Sequence, residues 1–524
     1  MLRETLVVLL LWAVLKSCHS RGCSGFFCRK NLRVSKSHEG ADPGEPLFLT
    51  PYLEKGAIDE ARKLSLVGPL PGANVKSYAG YLTVNKKYNS NLYFWFFPAK
   101  ERPETAPVLL WLQGGPGGTS MFGLFVEHGP YLVNKNMTAS FRDYPWTSRY
   151  SVVYIDNPVG TGFSFTDDDK GFAQNQDDVG RDLYSALTQF FQLFPEYQAN
   201  DFYATGESYA GKYVPAISYY IHKHNPIAKV KINLKGMAIG DGLCDPELML
   251  GGYAEFLYQT GLVDELQKQY VEEQTSRGTQ LIQQQKWLEA FKVFDSLLNG
   301  DLEPYPSYFQ NVTGCTNYFN YMLCQEPEDQ EYFSQFVTLP KVRLSIHVGN
   351  LSFHDGSEVE KHLLQDVMKS IKPWLGELMD NYRVLMYNGQ LDVIVAAPLT
   401  QRFLPTVNWT GAAEYRTAPR FHWRLQPGDR EVAGYVRQVG EFYQRYHPHF
   451  PLLPAPGGCR PVPLQELPPA FIWVLVHHPP APPAARGRGL HGLGGLHLLG
   501  GRGHLDTERS WVTFTLSNKP LCIH

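Results

Sequence analysis

Gly206-Glu207-Ser208-Tyr209-Ala210 sets a serine between residues small enough for its hydroxyl to stand clear of a strand-to-helix turn. A serine at such a turn takes a strained backbone conformation, and Gly206, Ala210 and Gly211 leave room for it and for a closely packed helix. The first N–H groups of that helix would face any anion formed beside the serine. The chemistry on offer is attack by Ser208 with stabilisation of the resulting oxyanion, although five residues alone also fit a serine that only caps a helix. Earlier, Gln113-Gly114-Gly115-Pro116-Gly117-Gly118 follows an apolar run. Its glycines would let more backbone N–H groups approach a ligand, as they would in an ordinary tight turn. Asp392 ends Asn388-Gly389-Gln390-Leu391-Asp392 after a late apolar run, where an acid partner for the serine and a simple turn cap both fit.

These groups need a scaffold that alternates strands and helices. Strands are expected over 78–84 and 91–97 as an antiparallel pair, then over 107–112, 151–156, 201–204, 231–240 and 382–387. Between them, 177–194 carries Val179, Leu183, Leu187, Phe190 and Phe191 at helical spacing and stops at Pro195, and 209–220 is the helix leaving the serine. This alternation predicts an α/β fold with a doubly wound central sheet. From 245 to 348 the rhythm changes to Gln- and Glu-rich helical segments at 265–274 and 281–298, read as a helical cap inserted over the site. Trp287, Phe291 and Phe294 at helical spacing read as core residues rather than ligand contacts.

Hydrophobic residues make up 43% of the 524-residue chain and its formal net charge is −3, so nothing in the balance points to nucleic acid. Residues 1–20 read as a secretory signal peptide and 21–45 as a propeptide or loose arm. No other stretch reaches the roughly 18 apolar residues of a membrane span. The expected setting is the secretory pathway, with the lysosome, the ER lumen and the outside of the cell as end points. The sequons at Asn136, Asn311, Asn350 and Asn408 agree with it. Cys315 and Cys324 could close a local loop, and Cys23 could pair with Cys28. No metal-binding motif or cofactor fingerprint is present, and none is expected.

Taken together, four segments resemble the serine carboxypeptidase family: Gly114-Gly115-Pro116-Gly117, the 157–165 motif beginning Asn157-Pro158, the 206–215 stretch around Ser208, and Tyr387 to Asp392. The resemblance spans about 46–444 and implies an α/β-hydrolase fold with core parts 46–244 and 349–444 around the 245–348 cap. It implies Ser208 as nucleophile, Asp392 as the acid orienting a histidine, and the N–H groups of Gly115 and Tyr209 as oxyanion hole. Gln113, Gly114, Glu127 and Glu207 match the positions that hold a peptide's C-terminal carboxylate, Gln113 replacing the usual asparagine. Two adjacent carboxyls cannot both ionise easily, so one would keep a proton and donate to the substrate, favouring activity in acid. The implied partner is a peptide with a free C-terminal carboxylate; the oligomeric state, a homodimer included, is left open.

The family's histidine, expected in a Gly-Gly-His segment near the C-terminus, has no match. Residues 445–524 form a Pro-, Gly- and His-rich tail that resembles a shifted-frame translation. His447, His449, His477, His478, His491, His497 and His504 are candidates, each read as a tail histidine without a strand to place it. Loss of that base typically lowers turnover by about six orders of magnitude. A catalytically impaired binding protein, an acyltransferase on the same fold and a storage glycoprotein therefore stand as alternatives.

Overall fold

This computed structural model describes residues 42–302, 306–424 and 430–447. The apolar runs form a ten-stranded mixed sheet: β1 (Tyr78–Asn85), β2 (Ser90–Phe97), β3 (Val108–Leu112), β4 (Ser151–Ile155), β5 (Phe202–Glu207), β6 (Leu234–Gly240), β7 (Arg383–Gly389), β8 (Phe421–Trp423), β9 (Gly434–Val439) and β10 (Phe442–His447). The spatial order is β1-β2-β4-β3-β5-β6-β7-β10-β9-β8. The six strands from β4 to β10 in that order run parallel, and antiparallel strands flank them on both sides.

Successive residues on a strand point to opposite faces, and both faces here are covered. Leu110, Leu112, Val153 and Ile155 join one core with α1 (Gln176–Leu193) and α2 (Ala210–His224), while Leu109, Trp111, Val152 and Tyr154 join the other. All five apolar residues of the expected first helix are buried. The parallel register then aligns the carboxyl ends of the strands. Leu112 of β3 lies beside Gly206 of β5, and Gly240 of β6 lies beside both Glu207 and Tyr387. Every loop leaving these ends opens on one edge, where ligands of parallel sheets bind.

Between β6 and β7 the chain is helical, with boundaries that differ from the sequence reading. The helix expected over 265–274, α3 (Glu265–Gln283), runs past 274; an Asp264–Gln267 capping box starts it. The chain breaks where Gln285 takes φ +58°, and α4 covers only Trp287–Phe294 before a wider turn, Asp295–Asn299. Phe291 and Phe294 are buried as expected, whereas Trp287 is half-buried with the Lys369 ammonium over its ring.

The larger correction concerns Arg445 to His447, read as the start of a tail without a strand. They complete β10, which pairs with β7 and β9 and is buried along its whole length. The composition shift at Pro448 conceals a strand whose pairing is supplied by distant residues. His447 is accordingly a sheet residue. Its ring packs 5.1 Å from Trp423, and burial, with Arg445 nearby, holds its imidazole down at about 3. The signal and arm, Cys23, Cys28, His449, His477, His478, His491, His497 and His504 lie outside the described residues.

Candidate active site

β5 delivers Ser208 at its carboxyl end. There the backbone turns through φ +59°, a conformation L-residues rarely take. Neighbouring backbone holds it: Ser208 N–H donates to the Gly240 carbonyl (2.9 Å), and its own carbonyl accepts from Gly211 (2.9 Å) and Leu243 (3.0 Å). The glycine loop leaves β3 alongside and lies against this turn. A Cβ on Gly114 would stand 2.6 Å from Tyr209 N and 2.7 Å from Ser208 Cβ, so only glycine fits. Gly115 takes φ +115° ahead of a cis bond to Pro116. Beneath the loop, Asp156 accepts from Thr119 Oγ1 (2.6 Å) and from the N–H groups of Ser120 (3.0 Å) and Phe163 (2.9 Å).

A buried polar cluster adjoins the serine. Trp111 Nε1–H donates to Gln113 Oε1 (2.9 Å), and an indole can only donate, so the amide must present Nε2 on its other side. That nitrogen donates to Glu207 Oε1 (2.5 Å) and Glu127 Oε1 (3.2 Å). Glu127 and Glu207 lie within hydrogen-bonding reach of each other, so one proton can be shared between them. Burial first, and the Glu207 charge second, push the Glu127 carboxyl well above the usual carboxylate range; burial raises Glu207 as well. The pair therefore keeps a proton where exposed carboxyls have lost theirs.

Asp392 lies in the turn after β7. Its Oδ2 accepts from Val395 N–H (2.9 Å) and its Oδ1 from Ile394 N–H (3.2 Å), yet burial outweighs both and pushes its carboxyl up to about 8. β10 ends beside this turn, the His447 carbonyl accepting from Gln390 N–H at 3.0 Å.

Ser208, Gly115, Tyr209, Gln113, Glu207 and Asp392 all line one cavity. Its remaining wall is largely apolar, with Leu243 and Ile394 from the strand ends and Phe291, Phe294 and Phe319 from the helical segment. Phe291 and Phe294 thus serve as core and as cavity wall together. Glu127 does not reach the cavity surface; it stands behind Glu207. No histidine lines it among the described residues. The arrangement can hold a carboxylate near an activatable serine and offer N–H groups to an oxyanion.

Sequence reasoning missed three contributors. Trp111 orients Gln113; Arg142 bonds the carbonyls of Phe125, Gly129 and Tyr131 beside Glu127; and Asp241, at φ +42°, accepts from Gly389 N–H (3.1 Å) and Asn388 Nδ2 (3.2 Å) on the way to Asp392. Asp241 sits between two glycines after β6, which was the one available signal. Away from the cavity, Cys315 and Cys324 are joined as a disulfide, and Asn136, Asn311, Asn350 and Asn408 are exposed. Among the described residues no helix is long and apolar enough to cross a membrane.

A family model described as serine carboxypeptidase matches residues 69–445. The chain is 63% identical over 422 residues to a probable serine carboxypeptidase, CPVL, of Homo sapiens, covering 80% of this chain and 88% of that one. It is 52% identical over 400 residues to a venom serine carboxypeptidase of Apis mellifera (76% and 85% covered), and 43% identical over 421 residues to a vitellogenic carboxypeptidase of Aedes aegypti (79% and 88%). Its fold is that of Kex1, a prohormone-processing carboxypeptidase of Saccharomyces cerevisiae, with a TM-score of 0.63, 23% identity and coverage of 74% of this chain and 91% of that one. With the sheet, the serine turn and the buried carboxyl pair on one edge, and with a match over most of the chain, this protein belongs to the serine carboxypeptidase family.

Proposed function

We propose that this chain releases C-terminal residues from peptides through an acyl-enzyme on Ser208, and does so best in acid. The observation that carries the reading is the Gln113–Glu127–Glu207 cluster in contact with the cavity that Ser208 lines. On binding, the shared proton, carried on Glu207, and one N–H of the Gln113 amide turn to the substrate's carboxylate beside Gly114, while Glu127 stays behind Glu207. Ser208 Oγ attacks the scissile carbonyl, the N–H groups of Gly115 and Tyr209 receive the oxyanion, and Asp392 orients the base. The leaving group departs as a free amino acid, and water resolves the ester. The base is the one role that no described residue fills, and the next histidine along the chain from β10 is His449. The apolar wall suits bulky apolar substrate side chains. Exposed sequons support passage through the secretory pathway with glycans at the four asparagines.

The test is fluorophosphonate labelling of the full chain in acid and at neutral pH, beside Ser208→Ala and His449→Ala, with amino-acid release from an N-acylated dipeptide. Labelling and release lost in Ser208→Ala support the reading. A folded chain that binds the dipeptide but is never labelled would instead be a carboxylate-binding member without turnover.

A further inference from the structure

Three donors converge on a single carboxylate oxygen beneath the serine turn. Asp366 Oδ2 accepts from Gln176 Nε2 at the start of α1 (2.7 Å), from the Tyr209 hydroxyl (2.9 Å) and from the Lys212 ammonium (3.3 Å). Lys212 also donates to the backbone carbonyls of Asp366 and Val367, the latter at 3.1 Å. The Lys212 and Asp366 side chains are only 1% and 4% exposed. Lys212 occupies the first turn of α2, where a cation opposes the helix dipole, and burial opposes its charge as well. Local helix preference does not account for it there; the convergence on Asp366 does. Neither side chain lines the cavity. What they surround is Tyr209, whose ring centre lies 5.4 Å from Lys212 Nζ and whose backbone N–H stands next to Ser208.

We propose that Asp366 and Lys212 are positioning residues for the oxyanion hole, tethering the Tyr209 side chain so that its backbone N–H stays aimed at the oxyanion. The inference rests on the roles given above to Ser208 and Tyr209. A donor aimed before the reaction needs no reorganisation when charge develops, so a tether on its side chain acts on the chemical step. Among the described residues the Gln113–Glu127–Glu207 cluster shares no hydrogen bond with this network, and the cavity wall meets it at Val367, whose carbonyl accepts from Lys212, so the tether is expected to act on the rate more than on affinity.

The experiment measures fluorophosphonate labelling rates of the full chain, together with N-acylated dipeptide binding and melting temperature. The variants are Tyr209→Phe, Asp366→Asn and the double variant Lys212→Met with Asp366→Leu. Tyr209→Phe deletes one oxygen and is expected to slow labelling about tenfold while dipeptide affinity holds. Asp366→Asn leaves the buried ammonium without its counter-charge; the double variant removes both charges and guards against a simple failure to fold. Both are expected to slow labelling at least as much. A purely structural role would lower affinity and melting temperature in step with rate. If Tyr209→Phe and the double variant label at the unmodified rate, the tether is overturned and the role of Ser208 stands. If the unmodified chain is not labelled at all, both readings fall.

Discussion

Glu127 and Glu207 are hydrogen-bonded to each other and share the same Gln113 amide nitrogen. One arrives on a turn after β3 and the other at the end of β5, and burial keeps a proton between them. In the proposed reading, recognition of a substrate carboxylate therefore depends on protonation. Binding of an N-acylated dipeptide to the Ser208→Ala chain should be strongest in acid and weaken by about tenfold per pH unit once the shared proton is lost. Glu127→Gln removes the like charge that helps hold the proton, so Glu207 gives it up at lower pH and affinity should change less from about pH 5 to pH 8. Calorimetric titration across that range checks it; parallel profiles would remove the shared proton from the explanation.

The Gly114 contact predicts a loss without any change of charge. A methyl group at 114 meets the backbone of Tyr209, which cannot swing aside as a side-chain end could. Gly114→Ala should displace the glycine loop and slow fluorophosphonate labelling by about two to three orders of magnitude, the scale of one lost oxyanion donor. A near-normal labelling rate in the folded variant would show that the loop has slack.

Stability should carry the mark of the same carboxyl pair. Because the folded chain holds the Glu127 proton more tightly than the unfolded chain, its contribution to stability falls as pH climbs from the usual carboxylate range through the raised folded value. Glu127→Gln lacks that proton, so its melting temperature relative to the unmodified chain should rise between about pH 5 and pH 8. Differential scanning at matched ionic strength reads the difference; a constant offset would contradict the sign.

His447 predicts the opposite slope. Its folded value of about 3 lies below that of a free imidazole, so the unfolded chain takes up a proton that the folded chain refuses. Stability is lost as pH falls from about 6.5 towards 3. His447→Val should therefore gain melting temperature relative to the unmodified chain near pH 4 and not near pH 7.5, with Ser208 labelling undisturbed. Lost labelling would place His447 in the chemistry after all.

Much of this was legible in the chain itself. Ser208 and the glycine loop announce themselves because a strained turn and a close backbone approach demand small residues at fixed local offsets. The buried parallel strands show as continuous apolar runs, and α1 shows as a helical stripe ended by Pro195. Element ends were less legible. Glu265–Gln283 outran its expected length because a capping box and packing extend a polar helix beyond its apolar pattern.

What the sequence determined is thus whatever depends on neighbours along the chain: periodicity, turn chemistry and the setting of Ser208. The tertiary structure alone decided which distant groups share a solvent-free site. No local pattern states that Glu127 meets Glu207, that Trp111 turns the Gln113 amide, that Asp366 gathers Gln176, Tyr209 and Lys212, or that His447 is a buried sheet residue. Those facts follow from strand register and from burial. Register is a sum over many pairings, and burial shifts a proton only once the rest of the fold has excluded water.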